Sequence, residues 1–156
     1  MTADIHLVRD YPHPRAKVWR ALTDPALMPL WGMRPDGFAP VVGTRFRLVG
    51  QANPHWRGFI DCEVTQASPP SVIAYTWVDN DGAQATHISY RLEETPGGTR
   101  LTVEHDGFTA AGRADFVDQF MRPGLEAMVD NSLPAVLGDL TDEGMLRAGS
   151  TLKPRY

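Results

Sequence analysis

Between residues 43 and 105 the chain alternates apolar and polar side chains in five consecutive runs with short turns between them. In Gly43–Gly50 (GTRFRLVG), Thr44, Phe46 and Leu48 fall on one face, and Arg45 and Arg47 on the other. Successive side chains of a strand point to opposite sides, so this period of two is that of a half-buried strand. The same reading gives strands at Gly58–Ala67 (Ile60, Cys62, Val64 inward), Val72–Val78 (Ile73, Tyr75, Trp77), Gln84–Glu93 (Thr86, Ile88, Tyr90, Leu92) and Thr99–His105 (Leu101, Val103, His105). Asn53-Pro54, Pro69-Pro70, Asp79–Gly82 and Pro96-Gly97-Gly98 separate them. Connections this short join antiparallel neighbours, which predicts a meander.

The flanks change period. A strand at Ile5–Val8 ends at two prolines, and a helix starting at Pro14 carries Val18, Trp19 and Leu22. Asp24-Pro25 ends it and opens a second short helix that finishes near Trp31. Pro29–Val42, with three prolines and two glycines, reads as a loop. After the meander, Asp115–Leu140 carries Phe116, Phe120, Leu125, Met128, Val129, Leu133 and Val136 at helical spacing. Pro123-Gly124 and Pro134 should kink or divide that helix, because proline lacks the N–H that continues it. The expected fold is α+β: about six antiparallel strands curved around a long C-terminal helix, with two short helices after the first strand. Residues 1–140 form the domain, and 141–156 read as a frayed polar tail.

Composition excludes several classes. With 42% hydrophobic and 22% charged residues in 156, the chain can bury one sizeable core. A net charge of −4 without clustered Lys and Arg gives no footprint for nucleic acid or anionic membrane. No apolar run is long enough to span a bilayer. The opening residues lack the charged, apolar and small-residue pattern of a signal peptide, and a single cysteine, Cys62, allows no internal disulfide. The expected location is the cytoplasm. His6, His13, His55, His87 and His105 show no metal-ligand spacing, and no phosphate loop or dinucleotide fingerprint is present. No metal and no cofactor are expected.

Residues 14–25 (PRAKVWRALTDP) with Trp31, Tyr75-Thr76-Trp77, Gly98–Val103 (GTRLTV) and His105–Phe108 (HDGF) resemble, in order and spacing, the START-like (SRPBCC) superfamily of the helix-grip fold. The branch they are most similar to is that of the activator of the heat-shock-protein-90 ATPase. The chain departs from the commoner pattern in lacking a second Trp beside Trp31 and in carrying two prolines in the final helix. The resemblance implies a ligand cavity between the sheet and the C-terminal helix, and it spans carriers, cyclases, resistance proteins and co-chaperones.

Three functions follow as expectations. The first is a small-molecule binding protein holding a hydrophobic or aromatic ligand. Tyr75, Trp77, Tyr90 and His105 would supply polar and stacking contacts, Phe120 and Met121 the helix wall, and Trp31 the rim. The second is a cofactor-independent cyclase, dehydratase or aldol-type enzyme with His105 as acid/base and Tyr75 or Tyr90 polarising a carbonyl. The third is a co-chaperone-like, stress-response module acting on an ATPase through His55-Trp56-Arg57. A homodimer is compatible with the chain, although no interface stripe identifies one.

Overall fold

The computed structural model describes residues 4–155; positions 1–3 and Tyr156 of the expected tail lie outside it. Seven strands form one antiparallel sheet in the order β1-β7-β6-β5-β4-β3-β2. They are β1 (Ile5–Tyr11), β2 (Arg34–Asp36), β3 (Arg45–Val49), β4 (Phe59–Ser68), β5 (Val72–Trp77), β6 (Thr86–Thr95) and β7 (Gly98–Asp106). Consecutive strands from β2 to β7 pair in order, as a meander must, and β1 closes the far edge against β7.

The additional strand, β2, lies inside the segment read as a loop. Its three residues pair with Arg47–Val49, and Pro35 faces Leu48. An outermost strand tolerates a proline because its free side needs no donor. Three residues around a proline leave too little pattern for periodicity to reveal them.

Two short helices, α1 (Arg15–Thr23) and α2 (Met28–Trp31), follow β1. Asp24 organises the joint: its carboxylate accepts the Ala26 N–H at 2.9 Å, and its carbonyl accepts the N–H of Leu27 and of Met28. The second helix therefore begins three residues beyond Pro25, with Pro29 in its first turn, where a missing N–H costs nothing.

The long helix, α3, covers residues 114–138 and alternates between two hydrogen-bonding registers. Wider π-helical turns at Val117–Met121 and Met128–Ser132 interrupt the α-helical segments. Each π turn ends just before a proline, Pro123 and Pro134. Leu133 N–H bonds to the Met128 carbonyl, five residues back. The next donor in that register would be Pro134, which has none, so the Val129 carbonyl is left over. The buried Tyr11 hydroxyl of β1 donates to it at 2.7 Å. The proline break is thus satisfied by the sheet edge, and the helix continues instead of ending.

The concave sheet face carries the core. Ile5 and Leu7, Ile73 and Tyr75, Ile88 and Tyr90, and Leu101 and Val103 are all buried there, and α3 lies across them through Val129, Leu133, Val136 and Leu137. Strand parity assigns these faces as expected. The segment after α3, expected as a frayed tail, makes specific contacts as far as residue 155. Leu140 bridges to Leu146, Arg147 N–H bonds to the Asp139 carbonyl, Leu152 packs on the core, and Arg155 N–H donates to Pro29 O at 2.9 Å.

Candidate functional site

A cleft of ≈ 870 Å³ runs between the concave sheet face and α3. Its sheet wall includes Leu48, Ile60, Tyr75, Trp77 and Tyr90, its helix wall Phe116, Phe120, Met121 and Leu125, and its floor Met28 and Trp31. Gly124 also lines it, and a Cβ there would meet no atom within 4 Å. The cleft belongs to the fold: a curved sheet and the helix that crosses it leave space between them.

Of the seven residues expected to bind a ligand, six line this cleft: Trp31, Tyr75, Trp77, Tyr90, Phe120 and Met121. Trp31 is fixed by its indole N–H, which donates to the Ala21 carbonyl at 2.7 Å, so it presents a ring and no free donor. That ring meets Tyr90 edge-on at 6.5 Å, and Tyr90 lies 6.2 Å from Tyr75. Burial pushes both phenols toward their neutral form: Tyr75 lies well above its ordinary value, and Tyr90 is raised to about 12. At neutral pH both are protonated and able to donate a hydrogen bond. Phe120 is 62% exposed at the mouth, a large price in apolar surface for a side chain that the core does not use.

His105 does not reach the cleft. Parity correctly turns it inward, opposite Ile88, but it is 0% exposed within the core. Trp77 stands against one side with ring centroids 5.3 Å apart, and Phe108 covers another at 4.6 Å. Its Nε2 is 2.7 Å from Thr86 Oγ1, and Nδ1 has no partner. Burial, with a smaller push from His87, lowers its pKa to about 3 despite the nearby Asp4. Burial keeps the ring neutral, and it has no place on the cleft lining, so the geometry gives it no contact with a molecule there. Alternation along a strand reveals the face but not the depth.

In His55-Trp56-Arg57, the first residue is exposed and the other two are half-buried. His55 and Trp56 line the cleft mouth, and the Trp56 indole donates to the Asp79 carbonyl at 3.1 Å. Arg57 lies over the Phe59 ring at 4.1 Å and contacts Asp81 and Asp61. Cys62 is buried in the sheet, and burial raises its thiol pKa, so it is an inert packing residue.

The most organised polar feature of the wall could not be read from the chain. Asp79, from the turn after β5, and Arg113, just before α3, form a two-pronged ion pair with both bonds at 2.9 Å. The Arg113 guanidinium also covers the Phe116 ring at 4.4 Å. Both residues line the cleft. Thirty-four positions separate them, and in sequence they read as a turn and a linker. Among the described residues no group of three or more His, Cys, Asp or Glu could hold a metal ion. No helix among them is long and apolar enough to cross a membrane.

An antiparallel sheet gripping a long helix around an aromatic-walled cleft defines a START-like, helix-grip protein. Residues 12–138 match the family described as Activator of Hsp90 ATPase homolog 1-like protein, and the chain belongs to that family. Among solved structures, protein MLL2253 from Mesorhizobium loti is similar at 35% identity, with a TM-score of 0.60 over 82% of this chain and 97% of that one. DynU16, from the dynemicin biosynthetic locus, has a TM-score of 0.73 at 22% identity over 86% of this chain and 46% of its own. CalU16 from Micromonospora echinospora has a TM-score of 0.59 at 22% identity over 86% of this chain and 83% of its own. The last two likenesses concern the fold alone. No curated protein matches the chain.

Proposed function

We propose that this protein binds a small hydrophobic, ring-containing molecule in the cleft between sheet and helix. The observation that carries the reading is the wall itself: indole and phenol rings from α2, β5 and β6 facing apolar side chains of α3 across ≈ 870 Å³. That volume is in the range of small-molecule sites, which combine apolar walls with few polar groups. Tyr75 and Tyr90, both held protonated, offer hydroxyl donors to a carbonyl or ether oxygen on the ligand. The fold likeness to DynU16, a protein from a biosynthetic locus, supports a small molecule as ligand. An enzymatic role resting on His105 gains no support from its place behind Trp77 and Phe108.

The test uses a neutral fluorescent polycycle, 1-pyrenebutanol. It should titrate the protein with one-to-one stoichiometry. Gly124→Phe should weaken the binding, because Gly124 lines the cleft and a ring added there occupies space beside the ligand. Absence of saturable binding to the unmodified protein, or equal binding to Gly124→Phe, overturns the reading.

A further inference from the structure

Two guanidinium groups line the cleft, Arg113 and Arg155, and their surroundings differ. Arg113 is neutralised by the two-pronged contact with Asp79. Arg155 belongs to the segment after α3, which returns across the molecule to α2. Its backbone N–H is anchored on Pro29 O at 2.9 Å, and Leu152 packs against the core three residues earlier. Its Nη1 lies 3.3 Å from the hydroxyl of Ser132 on α3. Ser132 also lines the cleft, and it is neutral. Nine arginines of this chain, Arg113 among them, stand within 3.9 Å of a carboxylate. Among the described residues Arg34, Arg91, Arg147 and Arg155 have no carboxylate within 4 Å, and of these four Arg155, with its hydroxyl partner, is the one on the cleft.

The placement is also directional. Phe116 and Ser132, both on the wall, are sixteen residues apart on α3, or about 24 Å at 1.5 Å per residue. One end of the cleft therefore carries the closed Asp79–Arg113 pair, and the other an available cation beside a hydroxyl. The aromatic side chains Trp31, Tyr75 and Tyr90 lie on the wall with them. A guanidinium presents parallel N–H donors that match a carboxylate, and its charge makes those bonds stronger than neutral ones.

We infer that the cleft selects aromatic carboxylic acids, with Arg155 and Ser132 as the anchor for the acid group. The inference rests on the ligand-binding reading above and adds the ligand's charge and orientation. The apolar body lies on the aromatic wall, and the carboxylate lies toward the segment after α3.

Fluorescence titration at neutral pH with 1-pyrenebutyric acid and 1-pyrenebutanol tests it, since the two differ in the acid group and share the ring system and chain length. The unmodified protein should bind the acid about tenfold tighter, the effect of one charge-assisted contact at a partly exposed site. Arg155→Gln should bring the acid to the affinity of the alcohol and leave the alcohol unchanged. Arg155→Lys should keep part of the preference, and raised salt should weaken it. Equal affinities on the unmodified protein overturn the inference while leaving the container reading in place. So does an acid preference that survives Arg155→Gln, or an equal loss for both probes, which would mark a packing role for the segment. Failure of both probes to bind removes the container reading, and the inference with it.

Discussion

At the scale of single residues, His105 shows how far a position on a strand can be from a role. Its neutral ring is an acid-sensitive point in the core. In the unfolded chain it titrates near 6.5, and in the folded protein near 3, chiefly because burial opposes the charged form. Between those values the unfolded state binds a proton that the folded state refuses, so stability rises with pH across that window and is lost as pH falls through it. The slope is at most ~1.4 kcal/mol per pH unit. Other groups add to the acid response, so the comparison is between variants. His105→Leu should flatten the decline in denaturation midpoint from pH 6.5 to pH 4, while 1-pyrenebutanol affinity at neutral pH stays unchanged. An equally steep decline in the variant would show that His105 is not the group titrating. The inward side of the five strands from β3 to β7 was legible in the sequence, because water on one face and core on the other impose the period of two. The screening of His105 was not, since Phe108 reaches it from the turn beyond the strand, where no period operates.

At the scale of elements, α3 was legible in outline through its apolar stripe, and its prolines marked where it would deviate. The form of the deviation depends on another element. A chain that cannot donate at Pro134 needs an outside donor for the Val129 carbonyl, and Tyr11 supplies it from the sheet edge. Burial raises the Tyr11 pKa, with a further push from Asp130, so the hydroxyl keeps its proton. Tyr11→Phe should cost ~1–3 kcal/mol, the penalty for stranding a buried carbonyl. In the Pro134→Ala background the same change should cost less, because residue 134 then has its own N–H. A double-mutant cycle on denaturation midpoints measures the difference, and zero coupling would disprove the link. Gly124 provides a simpler check on the same helix. Gly124→Ala should stabilise by ~0.5–1 kcal/mol, since helical glycine carries an entropy cost and the added methyl meets open space.

At the scale of the whole molecule, the cleft depends on contacts between parts of the chain that carry no shared pattern. Its aromatic wall was legible because three of its members, Tyr75, Trp77 and Tyr90, lie on strands with a clear inward face. Its ends were not. The segment after α3 returns to Pro29 through a backbone hydrogen bond that any residue but proline can donate, so its sequence reads as a loose tail. The Asp79–Arg113 pair ties the turn after β5 to the start of α3 and so fixes one end of the cleft. The two partners are unequally covered: the Asp79 side chain is 4% exposed and that of Arg113 25%. Removing the more exposed cation strands a buried carboxylate, whereas removing the carboxylate leaves a guanidinium that can still reach water. Arg113→Met should therefore cost ~3 kcal/mol and Asp79→Asn about 1 kcal/mol. The double variant Asp79→Leu/Arg113→Met should lie closer to the unmodified protein than Arg113→Met does, since neither charge is then buried alone. Urea midpoints rank the three. If the order of the two single variants were reversed, the stranding of a buried Asp79 carboxylate would not be what sets the cost of breaking the pair.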